Sequence, residues 1–377
     1  MKEVGDCSSE GPRTDGNTTS EDPAIIPEWD SLLPELVERI AYHVLYTTGG
    51  VDAYMDMRAV CPSWRSAITK PSPLAAVADP RFRPRHWVML DLRRSYSHDP
   101  RLFLHVPTGR FRRLHLPALG DHVLAGISDG LLVLGDFVSR GTARVLNPFT
   151  GDMLHFSAPL PEQINKNAAY TSVNGGSHST LGLLQWSRML CAATTSDIFT
   201  EKLIHTNLFC ILSFQGNVYC ANLDGFVFKY VAPADQCDEE LVVVAHGWPH
   251  TEEHVDVHTA EDACYLVESA GELLLVRYVD HTFKVFRVDV KHKLLEEVKS
   301  LSGRTLFLGK ERCVSVDADK LLSVDGDCIY SGFDDNIQVY NIRGDMVDIM
   351  SKKNLLDRPY SLVTLLLEYC DFHSQHL

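Results

Sequence analysis

Four histidines recur at four-residue intervals, His246, His250, His254 and His258, with Glu252, Glu253, Asp256 and Glu261 among them. On a helix all four imidazoles would share a face, and two or three of them could hold zinc. Pro249 interrupts the first turn, and Val255-Asp256-Val257 alternates as a strand or extended loop does. The stretch therefore reads as an acidic, histidine-rich surface loop rather than a metal site. Gly126-Ile127-Ser128-Asp129-Gly130 fits the spacing of a nucleophile elbow. That device needs a helix after the serine, and Leu131-Leu132-Val133-Leu134 continues as a strand, so the sequence predicts a Ser-Asp-Gly hairpin turn. There is no glycine-rich phosphate loop. The acidic pair Asp334-Asp335 reads as turn chemistry. Aromatic residues at Tyr219, Phe226, Phe228, Tyr230, Phe283 and Phe286 fall at strand spacing and read as core.

The chain has 377 residues, 45% hydrophobic and 23% charged, with a formal charge of −15. A charge of that sign argues against broad binding of nucleic acid or anionic membranes. It is unevenly spread. Nine arginines face three aspartates between Pro71 and Arg113, whereas 20 basic residues face 35 acidic ones from Leu114 onward. The arginine-rich run could bind phosphate; we read it as a solvated junction that pairs with the acidic body. Ten cysteines form no C-x-x-C pair, several within apolar runs, which predicts free, reduced thiols in cytoplasm or nucleus. No run is long and apolar enough for a membrane span, and Met1-Lys2-Glu3-Val4-Gly5-Asp6 lacks a signal-peptide core.

Residues 1–26 are polar and predicted to be a disordered tail. Three short helices follow. Ser31 is a candidate cap, Pro34 suits a first turn, and Leu36, Val37, Ile40, Ala41, Val44 and Leu45 repeat at one-turn spacing. Thr47-Thr48-Gly49-Gly50 stops that helix. A second is predicted over about 51–58. Pro62 should break it, with Ser63 capping a third that presents Trp64, Ala67 and Ile68. About forty residues cannot bury much core alone. The ordered set Leu32, Leu33, Pro34, Leu36, Ile40, Val60, Cys61, Trp64 and Arg65 resembles an F-box, the module that docks a ligase subunit onto a Skp-type adaptor. The alternative is an ordinary three-helix cap on the larger domain. The resemblance implies adaptor contact through Leu32, Leu33, Pro34, Leu36, Ile40, Val60 and Trp64.

Residues 71–86 read as a proline-punctuated linker. From Trp87 the pattern changes to short runs of period two, punctuated by glycines about ten residues apart, with weak helical patterns only near 197–204 and 360–370. Three hairpins resemble one another and open on Gly216, Gly271 and Gly326, spaced 55 residues apart. A unit of this length suits a propeller blade, kelch blades being about 50 residues. Asp79-Pro80-Arg81, Leu146-Asn147-Pro148-Phe149-Thr150-Gly151, Leu266-Val267-Glu268-Ser269 and Leu306-Phe307-Leu308-Gly309, in that order, are similar to the plant F-box proteins that carry a KIB-type β-propeller. Lys320-Leu321-Leu322-Ser323-Val324-Asp325 is short and lacks the proline often found there in that family, which predicts abbreviated late blades.

The expectation is a multidomain chain: a small all-α three-helix F-box at 27–70, then an all-β propeller with kelch-like blades at 87–377. The resemblance implies a non-catalytic substrate receptor of an SCF-type cullin–RING ubiquitin ligase. Its partners would be a Skp-type adaptor and an unidentified target protein, with no cofactor or metal, no nucleic acid and no membrane. A metal-dependent enzyme built on the histidine run, or a propeller scaffold outside any ligase, are the alternatives.

Overall fold

The computed structural model describes residues 29–47, 50–90, 100–136, 141–161, 165–173, 178–202, 206–231, 240–249, 262–321, 324–333, 336–344, 346–351 and 362–370. The tail expected at 1–26, His250, His254, His258 and the Asp334-Asp335 pair lie outside them.

A short 3-10 turn, Trp29–Ser31, precedes α1 (Pro34–Thr47), α2 (Gly50–Ala59) and α3 (Pro62–Ala67). Helix α2 ends at Ala59, ahead of Pro62, which opens α3. Proline forces Cys61 into extended backbone (φ −154°, ψ 167°), and the Cys61 sulfur, not Ser63, accepts the Trp64 N–H. Val37, Ala41 and Leu45 line the inner face of α1 and pack on Val51, Tyr54, Ile68 and Phe82. The 71–86 stretch, expected as a linker, is partly helical and packed. Its helix α4 (Pro73–Ala78) is capped by the Ser72 hydroxyl, and Val77 is wholly buried against the β-body.

Six sheets follow. The first is β1 (Trp87–Met89), β2 (Arg101–His105) and β3 (Arg110–Leu114), antiparallel throughout. A four-residue helix, α5 (Ala118–Asp121), leads to the second: β4 (His122–Ser128), β5 (Leu131–Asp136), β6 (Thr142–Leu146) and β7 (Met153–Pro159). The third, β8 (Asn165–Val173), β9 (His178–Gln185), β10 (Arg188–Ala193) and β11 (Thr200–Lys202), touches the second through one parallel pair, Ile127 with Asn167. The fourth is β12 (Leu208–Phe214), β13 (Asn217–Asn222), β14 (Val227–Val231) and β15 (Glu240–Ala245). The fifth is β16 (Ala263–Ser269), β17 (Glu272–Val279), β18 (Thr282–Asp289) and β19 (Leu294–Val298). The sixth holds β20 (Arg304–Leu308), β21 (Cys313–Asp317), β22 (Cys328–Phe333), β23 (Asn336–Asn341) and β24 (Met346–Ser351), and α6 (Leu362–Cys370) ends the described chain.

Each junction between neighbouring sheets is filled by its own apolar cluster. Sheets two and three share one, three and four the next, four and five a third, five and six a fourth. The largest joins six to one and one to two, with α6 packed into it. A ring of sheets that bury their faces only against neighbours is propeller architecture.

Gly216 and Gly271 take positive φ in equivalent hairpins, β12–β13 and β16–β17. Gly326 precedes β22 instead, in a sheet ordered β21-β20-β22-β23-β24 with β20 and β22 parallel. The extra strand slips between the innermost strand and the rest, so this late blade is enlarged rather than abbreviated. The helix expected near 197–204 is instead a bend running into β11 at Thr200–Lys202, and the one expected near 360–370 is α6.

Candidate functional site

Helix α1 has two apolar faces. The inner one builds the three-helix core. The outer one leaves Leu36 and Ile40 43% and 45% exposed, with Leu33 just before the helix 63% and Val60 just after α2 59% exposed. Pro34 is exposed at the helix start. Leu32 and Trp64 are half-buried and lean on the inner core, and the Trp64 indole N–H donates to the Trp29 carbonyl at 2.8 Å, bringing α3 beside the start of α1. The seven residues singled out in the sequence therefore divide: five exposed, two part of the packing that holds them.

The helices are latched to the propeller by the arginine-rich run. Arg110 on β3 pairs with Asp52, whose side chain is buried, and Arg112 grips Asp56 with two hydrogen bonds of 2.8 and 2.6 Å. Lys70 meets Asp152 at 3.0 Å. Asn147, fully buried, donates to the carbonyls of Ala76 and Phe82 at 2.7 and 2.8 Å while its own carbonyl accepts from Phe149 N–H. The Leu-Asn-Pro-Phe-Thr-Gly string is thus the staple between α4 and the β6–β7 turn. The arginines do pair with carboxylates, several of them on the helices.

A cavity of about 440 Å³ runs along the ring axis, bounded by β4, β8, β12, β16 and β21. Residues late in these strands gather at one end: Ser128 accepts from Tyr170 N–H, and the Ser213 hydroxyl bonds both the Tyr170 carbonyl and Asp129. The same end carries Arg83, Arg85, Glu268 and Arg304. The buried Arg83 donates to Asp129 at 3.2 Å, to Ser172 at 2.6 Å and to the Val77 and Ala78 carbonyls. Arg304 is held by the Ser315 hydroxyl and carbonyl, both at 2.9 Å. Burial raises the Asp129 pKa against the opposing Arg83 charge and Ser213 hydrogen bond. Glu268 is also raised, by burial and then by the Asp129 charge, with Arg85 and Arg304 opposing. Burial lowers Arg304.

At the other end α6 forms the floor. The Cys370 carbonyl accepts from the Glu311 and Arg312 N–H groups at 3.2 Å, and the Arg312 guanidinium lies 4.9 Å above the Tyr369 ring while donating to the Tyr369 carbonyl. Arg83 and Pro84 meet the Asp129–Gly130 turn while α4 and Lys70 meet Asn147 and Asp152, so the helices share the end of the ring that carries the charged mouth.

Gly126–Gly130 is the hairpin turn the sequence predicts: Asp129 and Gly130 have φ of 50° and 75°, and the Ser128 hydroxyl is engaged by Tyr170. His246 packs edge-on against Phe226. The eight described cysteines are in no disulfide, and burial drives the Cys191 thiol to about 12. Among the described residues no three His, Cys, Asp or Glu side chains gather as metal ligands would. In the sequence Asp129 reads only as part of a hairpin turn and Glu268 only as part of a family string; neither they nor Arg304 are singled out there as site residues. The signal was present: Asp129-Gly130 and Ala270-Gly271 mark the same inner hairpin in two sheets, which places Asp129 and Glu268 at one end of the ring.

Fold and cavity together define a β-propeller. The KIB1-4 beta-propeller family profile matches residues 103–341, and the chain belongs to that family. No curated protein matches the chain. Among solved structures it is similar to BBS1N in complex with ARL6DN (11% identity, 70% of this chain and 75% of that one, TM-score 0.30). It is similar too to the Cps50 (Swd1) β-propeller domain of Myceliophteria thermophila (11%, 68% and 77%, 0.31). A third is PpgL, a periplasmic gluconolactonase of Pseudomonas aeruginosa (12%, 67% and 77%, 0.32). At such TM-scores none of the three bears on what this chain binds or does. No described helix is long and apolar enough to cross a membrane.

Proposed function

We propose that this chain is the substrate-recognition subunit of an SCF-type cullin–RING ubiquitin ligase, working in cytoplasm or nucleus. Its three N-terminal helices act as an F-box that docks a Skp-type adaptor, and the propeller holds the target. The observation that supports this reading is the outer face of α1. A helix needs one apolar face to pack, and this one has two. Exposed large apolar side chains gathered on one face fit a partner that covers them.

The chemistry in this reading is proximity. A target held on the propeller and a ubiquitin-charged enzyme held through the adaptor convert a bimolecular lysine attack into an effectively intramolecular one. This chain supplies no acid, base or nucleophile. Co-expression with a Skp-type adaptor tests it. The wild-type chain should co-purify with the adaptor, and Leu33→Asp with Leu36→Asp should lose it while keeping the wild-type circular dichroism spectrum. Retention of the adaptor by the double variant at wild-type yield would refute the docking face. Failure of the wild-type chain to bind would favour a scaffold outside any ligase.

A further inference from the structure

We propose that the mouth of the axial cavity binds a lysine or arginine side chain of a polypeptide, Glu268 taking the cationic head and Arg85 a main-chain carbonyl. Only the identity of that polypeptide as the ligase target rests on the receptor reading above; the site stands on the cavity.

The argument begins with which polar groups at the mouth are already engaged. Arg83 is held on every side by the Val77 and Ala78 carbonyls, Ser172 and Asp129. Asp129 in turn takes the Ser213 hydroxyl. Arg304 is tied to Ser315. Glu268 differs. Among the described residues no hydrogen-bond donor reaches its carboxylate, and what surrounds it is low-dielectric wall, the like charge of Asp129, and two arginines acting at a distance. A cationic head gives Glu268 the donor it lacks, whereas an anionic head would meet its carboxylate.

The walls below suit the rest of such a side chain. Phe209, Ile211 and Leu266 line the cavity beneath Glu268, and a methylene stem lies well on apolar surface while its head stays with charge. About 440 Å³ falls within the range of ligand pockets, roughly 300–1,000 Å³. Arg85, exposed at the rim, can reach an acceptor on the incoming backbone. The formal charge of −15 draws a basic segment toward the molecule in the first place.

Fluorescence anisotropy on the full chain tests the site, with a short labelled peptide carrying one lysine between serines and glycines, and its norleucine and glutamate counterparts. The lysine peptide should bind at least about tenfold more tightly than either. Glu268→Gln should remove most of that preference, while Glu296→Gln, on the outer strand β19, should leave it unchanged. A diazirine-bearing lysine peptide on the wild-type chain should cross-link within 209–213 or 264–268, a readout that needs no variant. Equal binding of the three peptides, equal loss with both variants, or cross-links confined to the outer strands would overturn the site. Stronger displacement by spermidine than by unlabelled peptide would overturn the polypeptide. Glu268→Gln should still co-purify with adaptor, and Leu33→Asp with Leu36→Asp should still bind the lysine peptide, so each reading fails by its own assay.

Discussion

Helices α1 and α6 both carry large apolar side chains, and they use them in opposite ways. In α6, Val363, Leu366, Leu367 and Tyr369 are buried in the cluster that joins the sixth sheet to the first, and even its terminal carbonyl is engaged by two backbone N–H groups. In α1, Val37, Ala41 and Leu45 do the same for the three-helix core, but Leu36 and Ile40, with Leu33 just before the helix, face outward. Apolar content therefore does not distinguish surface needed for folding from surface left for a partner. The distinction lies in whether the face has neighbours within the chain.

Removing 362–370 should have the largest effect, because it opens the cluster at the ring closure; insoluble or partly unfolded protein is expected, read by circular dichroism and size exclusion. Leu366→Ala should cost about 2–5 kcal/mol in urea unfolding, since the cavity it leaves has little room to collapse. Gly309→Ala comes next. A Cβ there would lie 2.4 Å from the Cys370 backbone, so α6 must shift, at about 1–3 kcal/mol. By contrast, Leu33→Asp with Leu36→Asp should change unfolding stability by about 0.5 kcal/mol or less per site, as exposed positions do. A loss comparable with Leu366→Ala would show that the outer face of α1 is structural after all. The smallest effect belongs to Glu268. A carboxyl whose folded pKa is raised leaves the fold most stable below its unfolded value, near 4.5, and costs stability as pH rises through the folded value. Glu268→Gln should thus raise the melting temperature slightly at pH 7.5, with the gain shrinking toward pH 4.5.

The periodicity switch at Trp87 and the spacing of Gly216 and Gly271 made the sheets legible, because each strand's alternation is set by its own residues. The inner face of α1 was legible for the same reason. The cap of α3 was not, because the thiol of Cys61 competes with Ser63 and only the extended backbone before Pro62 decides between them. The parallel pairing of β20 with β22 was hidden as well, since it depends on a hairpin folding back across the sheet. The mouth was the least visible part. Asp129, Glu268 and Arg304 are far apart in sequence and meet only because the inner strands of different sheets end at one level.

The cluster at the closure also constrains how the chain is made. It joins Leu90 to Leu366, so the first sheet must wait for some 276 further residues before its last apolar face is covered. At about 5–20 residues per second that interval is roughly 14–55 s on the ribosome, during which two sheet edges and their apolar flanks stay open. Within that window the nascent chain is a ready client for chaperones.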